Sequence, residues 1–217
     1  PIQAIPFHQV KLQDKLWAPR LEVVRNSTIP HVFRKNQETG RVKNFEMAGA
    51  SNPDRVCSVF PFDDTDLYKL IEGVAYALQT KADPKLQAKV DSLIAIIGAA
   101  QEPDGYLYTF RTIVERRNNP NLVANVDARG ANLSWLSGPR WAKEDDLSHE
   151  LYNAGHLYEA AVAWYEATGK RNLLDIALKN ANLVDQSFGP GKLQKAPGHQ
   201  EIELGLVKLH QTTGEKR

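Results

Sequence analysis

The chain has 217 residues, 42% hydrophobic and 24% charged, with a formal net charge of +1. That is long enough for one substantial core and too short for three domains, and so neutral a balance gives no electrostatic reason for a nucleic-acid or anionic-membrane partner. A single cysteine, Cys57, excludes an internal disulfide, and no apolar run reaches the ~20 residues of a membrane span.

The first 25 residues read as an extended lead-in interrupted by Pro6 and Pro19, with a helix expected from about Pro19. The chain opens on Pro1-Ile2-Gln3, with neither an initiator Met nor a signal sequence. The first strong periodic segment is DDTDLYKLIEGVAYALQT. Leu67, Leu70, Ile71, Val74, Ala75 and Leu78 recur at helical spacing, and Asp64 or Thr65 is the expected N-cap. A second helix follows a short turn, with Asp83 as cap, Pro84 at the first position and Leu86, Val90, Leu93, Ile94 and Ile97 as its buried stripe. Residues 103–147, rich in Pro, Gly and Asn, read as irregular, and a long loop of that kind is commonly functional. Two helices follow over 148–168 and 171–188, and a last one over 199–213. The polar end HQTTGEKR, directly after an apolar-periodic segment, points to a chain that is a piece of something longer.

A repeat runs through these helices. Thr80, Thr168 and Thr213 each close an apolar helix before a polar turn, and they stand 88 and 45 residues apart. A period near 44 is one helical hairpin, so the pattern reads as a solenoid or a closed α/α toroid, against an irregular helical bundle.

The chemistry-bearing residues concentrate in DLSHELYNAGHLYEAAVAWYEATGK, residues 146–170. His149-Glu150 invites a metal, but a zincin needs H-E-x-x-H and the next histidine here, His156, is seven residues on. Seven residues are about 10 Å of helix, too far for two imidazoles to share one zinc at ~2 Å bonds. His156 reads equally well as a packed helix histidine satisfied by Glu159 or Tyr152. His149, beside the expected cap Ser148 and facing the long loop, is better placed for a ligand. Glycoside hydrolysis takes two carboxylates. Asp64, Asp66, Glu150, Glu159, Glu201 and Glu203 are candidates, and spacing alone selects no pair among them. In QEPDGYLYT, Tyr106 and Tyr108 follow a tight turn and face one way, which suits a sugar platform or the rim of a core. Cys57, among apolar neighbours, reads as a buried thiol.

Five stretches, in order, resemble the N-terminal part of the catalytic domain of glycoside hydrolase family 127, the β-L-arabinofuranosidase group. They are VKLQDKLWAPR, VFPFDDTDLYKLIEGVAYAL, QEPDGYLYT, DLSHELYNAGHLYEAAVAWYEATG and PGHQEIELGLVKLHQTTGEKR. The resemblance implies an all-α fold, the N-terminal portion of an (α/α)6 barrel built of helical hairpins. Residues 1–217 would then be the first part of one catalytic domain, truncated at 217, with the remainder of that domain as partner. It implies a carbohydrate substrate, bound in part by His149 of the S-H-E-[LM]-Y motif and His199 of the G-H-x-E-I-E motif. A sugar-contacting Gln of the family falls near Asn44-Phe45, where this chain has none. It also implies retaining hydrolysis with a zinc-bound cysteine nucleophile and a glutamate acid/base. All of these, with the zinc ligands, would lie downstream, leaving no catalytic residue and no metal ligand in this chain. Isolated residues 1–217 are then expected to be inactive. The opening stretch resembles exported members, implying a periplasmic or secreted protein. The contrasting expectations are a non-catalytic helical-repeat module binding sugar or protein, and a sugar-binding relative without turnover.

Overall fold

The protein is described here by a computed structural model covering residues 5–53, 55–116, 133–146 and 148–215. Nine α-helices appear among the described residues: α1 (Trp17–Val23), α2 (Ile29–Glu38), α3 (Arg41–Gly49), α4 (Asp64–Thr80), α5 (Pro84–Ala100), α6 (Thr109–Arg116), α7 (Glu150–Thr168), α8 (Asn172–Ser187) and α9 (Glu201–Thr213). Among the same residues the only β pairing is an isolated bridge between Phe188 and Leu193.

The helices form hairpins in two layers. α4, α7 and α9 stand side by side, with α2 against α4; α5 and α8 back them, with α3 against α5. This is the helical-hairpin arrangement expected of the N-terminal portion of an (α/α)6 barrel. The repeat reading holds in detail. Thr80, Thr168 and Thr213 are the last residues of α4, α7 and α9, the three first-layer helices. Each hydroxyl donates back into its own last turn, to Ala77, Trp164 and Leu209 carbonyls respectively. After α7 and α9 the backbone turns left-handed at Gly169 and Gly214, where a residue without Cβ closes the helix at little cost.

The stripes read from the sequence make the core. Leu67, Leu70, Ile71, Val74, Ala75 and Leu78 are all buried on α4, and Val90, Leu93, Ile94 and Ile97 on α5, with Leu86 packed at the edge. Each fully buried large aliphatic contributes about 1.5–3 kcal/mol. Asp83 caps α5 as expected, accepting from the Lys85 and Leu86 amides at 3.0 Å, and Pro84 takes the first position. In contrast, Leu204, Leu206 and Val207 on α9 are exposed.

Several expectations are corrected. The first helix begins at Trp17, because the Asp14 carboxylate accepts from the Leu16 and Trp17 amides; Pro19 lies within its first turn, where its missing N–H costs nothing. Asp64 and Thr65 do not cap α4. Asp64, 1% exposed, instead accepts from the Thr109 amide at 2.8 Å and hydroxyl at 2.6 Å, so it anchors the start of α6. α6 itself falls inside the stretch read as irregular. Its segment Thr109–Val114 is buried; Phe110, Ile113 and Val114 do recur at helical spacing, but eight residues are too short a window for that period to stand out. Residues Asn118–Asn121 of that expected loop, and Pro1–Gln3, lie outside the described residues.

Candidate functional site

His149 is the residue before α7 and sits in the left-handed region at φ 60°, ψ 28°. For a non-glycine residue this conformation is uncommon, and it is held only where the surroundings impose it. Here a buried polar clamp does so. Glu150, 2% exposed, accepts from the Trp141 amide at 3.1 Å and the Ser148 hydroxyl at 2.9 Å, and Tyr106 donates its hydroxyl to the same carboxylate. The Arg111 guanidinium, 3.7 Å from Glu150, donates to the Gly138 and Leu136 carbonyls at 3.0 and 3.2 Å. Tyr108 donates to the Ser148 carbonyl, and Glu144 accepts from the Leu151 amide at 3.0 Å. The expected capping role of Ser148 is therefore taken by Glu144. Burial pushes the Glu144 carboxyl up to about 7 and drives the phenols of Tyr106 and Tyr108 well above their usual range. Both tyrosines are pillars of this clamp, 1% exposed, so they are a core rim and not a sugar platform.

The second histidine arrives by packing. α7 and α9 cross with Gly155 facing Glu201: a Cβ on Gly155 would lie 2.6 Å from the Glu201 carbonyl carbon and 2.7 Å from the Ile202 amide. Gly205 is the reciprocal contact, its would-be Cβ 2.7 Å from the Gly155 carbonyl oxygen. With backbones this close, the turn before α9 puts His199 over the start of α7. The His149 and His199 rings are 5.2 Å apart between centroids, and Tyr152 lies 5.7 and 4.9 Å from them. Lys69 on α4 donates to the Tyr152 hydroxyl at 2.8 Å. The structure thus brings the two histidines singled out from the sequence, 50 residues apart in the chain, into one cluster with Tyr152 and Lys69. Tyr152 and Lys69 were not singled out for this place. Tyr152 lies three residues after His149, on the same helix face, and that spacing is the signal that could have found it.

Beneath this cluster His156 faces Tyr152 edge-on at 4.6 Å, and its Nδ1 is 3.1 Å from Glu201 Oε1. Burial holds the His156 imidazole down to about 4, and burial with the hydrogen bond to Glu159 raises the Glu201 carboxyl to about 7. Burial works against ionisation of Glu159. The hydrogen bond from Glu201 and the Lys208 ammonium nonetheless keep it below its usual range. His156, Glu159 and Glu201 place ligand atoms within 4.8 Å of one another, and they are the one such group among the described residues. A cation already serves it, because Lys208 pairs with Glu159. A thiolate-held zinc finds no fit here: Cys57 is 3% exposed and belongs to no group of metal-ligating side chains among the described residues.

Of the remaining candidate carboxylates, Glu203 is exposed in the first turn of α9, and the others have structural partners. Asp66 pairs with Arg41 at 2.6 Å, Asp64 with Thr109, and Glu150 with the clamp. Chemically, the cluster offers neutral and cationic hydrogen-bonding groups beside ring faces and presents no free carboxylate pair for hydrolysis. At the position near the family's Gln, Asn44 is fully buried; it donates to the Ser58 hydroxyl and accepts from the Cys57 amide, both at 2.6 Å, and Phe45 is fully buried. Neither side chain is open to a ligand.

Comparisons with known proteins agree on one family. The sequence model for the beta-L-arabinofuranosidase GH127 catalytic domain matches residues 9–217. A non-reducing end beta-L-arabinofuranosidase of Bifidobacterium longum subsp. longum is 37% identical over 198 residues, covering 88% of this chain and 27% of the relative. Among solved structures, a GH127 beta-arabinofuranosidase superposes with a TM-score of 0.84 at 48% identity, over 97% of this chain and 31% of that one. The GH127 beta-L-arabinofuranosidase of Geobacillus stearothermophilus T6 gives 0.80 at 39%, over 94% and 30%. The chain therefore spans less than a third of the length of the relatives it matches. On these matches and on its layered helical hairpins, the chain belongs to glycoside hydrolase family 127, within the catalytic domain.

Proposed function

We propose that residues 1–217 are the N-terminal part of a single (α/α)6-barrel catalytic domain that hydrolyses β-L-arabinofuranosides of plant-type glycans with retention. The observation that carries this reading is the meeting of His149 and His199 at 5.2 Å beside Tyr152, in a chain whose relatives are named for that activity. The two imidazoles act as hydrogen-bonding groups for one sugar ring. The nucleophile, the acid/base and the ligands of a zinc ion come from the remainder of the domain; that zinc would lower the pKa of a cysteine thiol so that it can serve as nucleophile. The same remainder covers Leu204, Leu206 and Val207, which α9 leaves exposed. Substrates of this kind lie outside cells, so a periplasmic or secreted location goes with the reading.

The test is kinetic. The complete protein, supplied with zinc, should hydrolyse an aryl β-L-arabinofuranoside, and residues 1–217 alone should not. His149→Asn keeps a residue that tolerates the left-handed backbone, so its loss of kcat/KM, about 100-fold, reports the imidazole and not unfolding. Wild-type kcat/KM in both His149→Asn and His199→Asn, or turnover by residues 1–217 alone, would overturn the assignment.

A further inference from the structure

A row of aromatic rings leads away from His149. Phe62 lies 5.1 Å from His149 between centroids. Phe60 lies 5.1 Å from Phe62 with the planes 6° apart, and Trp135 lies 6.4 Å from Phe60 with the planes 12° apart. Parallel rings in contact are separated by about 3.5–4 Å, so centroids this far apart mean staggered rings, each leaving part of its face uncovered. Phe60 is accordingly 43% exposed.

The turn that carries Phe60 and Phe62 is rigid. The Asp63 carboxylate accepts from the Val59 and Phe60 amides at 3.0 and 2.9 Å and from Arg41 at 2.9 Å. Asn153 on α7 donates to the Pro61 carbonyl at 3.1 Å. A phenylalanine with nearly half its surface in water, fixed by four buried or half-buried hydrogen bonds, gains little from folding itself. It is preorganised to cover something else.

We propose that Phe62, Phe60 and Trp135 form a stepped platform for the glycan residue bonded to the sugar that His149 holds. The inference rests on the reading of His149 as a sugar contact. Sugars offer C–H faces that pack on aromatic faces, and a parallel stepped row accepts a ring without requiring any one hydroxyl pattern. The platform therefore takes a neutral, ring-shaped group and sets a preference for oligosaccharide over simple glycoside substrates.

The experiment compares two substrates in the complete protein, a methyl β-L-arabinofuranoside and the corresponding disaccharide. Phe60→Ala and Trp135→Ala should each lower kcat/KM for the disaccharide about tenfold, mostly through KM, and leave the methyl glycoside within twofold. Phe60→Tyr and Trp135→Phe, which keep a ring face, should restore most of the loss. An equal loss on both substrates would mean that the rings support the fold or the first sugar, and no loss on either would mean that other parts of the domain cover them; each overturns the proposal. His149→Asn in parallel separates the two readings. If it changes neither substrate while Phe60→Ala splits them, the histidine assignment fails and the platform stands.

Discussion

The two histidines of the site are held by different physics. His149 is fixed by a polar clamp: Glu150, Glu144, Tyr106, Tyr108 and Arg111, buried, surround a backbone kept left-handed. His199 is itself exposed and is fixed at a distance, by two glycines that let α7 and α9 cross at backbone contact. A clamp of hydrogen bonds is directional, sensitive to protonation and costly to break at one point. A close crossing is set by backbone contact and fails on the addition of a single methyl group.

The largest effect should come from the clamp. Glu150→Ala leaves the Trp141 amide and the Tyr106 hydroxyl without that acceptor, leaves the Ser148 hydroxyl only the long contact to Glu144, and takes from Arg111 its buried carboxylate, with only the half-exposed Glu115 remaining. Denaturant unfolding should show a loss of about 3–5 kcal/mol, and NMR should show the His149 ring signals moving more than those of His199. Wild-type stability would mean that the clamp does not carry the turn. Gly155→Ala attacks the other side: its Cβ would meet backbone atoms of Glu201 and Ile202 that have no side-chain freedom to yield. A loss of about 2–3 kcal/mol is expected, with the reverse pattern, His199 shifting and His149 unmoved. If both variants perturb both histidines equally, the division drawn here is wrong.

A smaller effect separates the two sides by pH. Burial raises Asp64, which anchors the α6 start beneath the clamp, to about 7. Its folded pKa lies above the unfolded value near 4, so its contribution is fully present below about pH 4 and is lost as pH rises through about 7. Between pH 5 and 8 the wild-type chain should lose about 2 kcal/mol more than Asp64→Asn does. His156 has the opposite sign, since its depressed pKa gives stability above about pH 6.5 that falls away toward 4. It is common to both proteins and cancels in the difference. Parallel pH profiles for the two would show that Asp64 ionises freely.

Much of the fold was legible because long helices repeat apolar residues at helical spacing, even where, as in α7, most of the circumference is buried. α4 and α5 show this most plainly, and the threonines at the ends of α4, α7 and α9 disclosed the hairpin period. α6 was hidden because it is only eight residues long inside a Pro-, Gly- and Asn-rich stretch; Phe110, Ile113 and Val114 recur at helical spacing, but over too short a window to stand out. α2 and α3 went unassigned although Ile29, Phe33 and Asn36 do recur at helical spacing; Pro30 and Gly40 mask the signal. In the site, His149 and His199 came from motif resemblance, and only the crossing at Gly155 explains why residues so distant in sequence meet. The carboxylates stayed undecided, because a buried Asp or Glu in sequence looks the same whether it caps, clamps or catalyses.

The exposed strip of Leu204, Leu206 and Val207 has a consequence for biosynthesis. Helices added one hairpin at a time leave the newest first-layer helix with an open apolar side until the next is made. Translation at ~5–20 residues per second makes a hairpin period near 44 residues last a few seconds. For that interval the nascent chain carries an adhesive edge, and a chaperone that recognises Leu- and Val-rich strips has a recurrent, timed place to hold it.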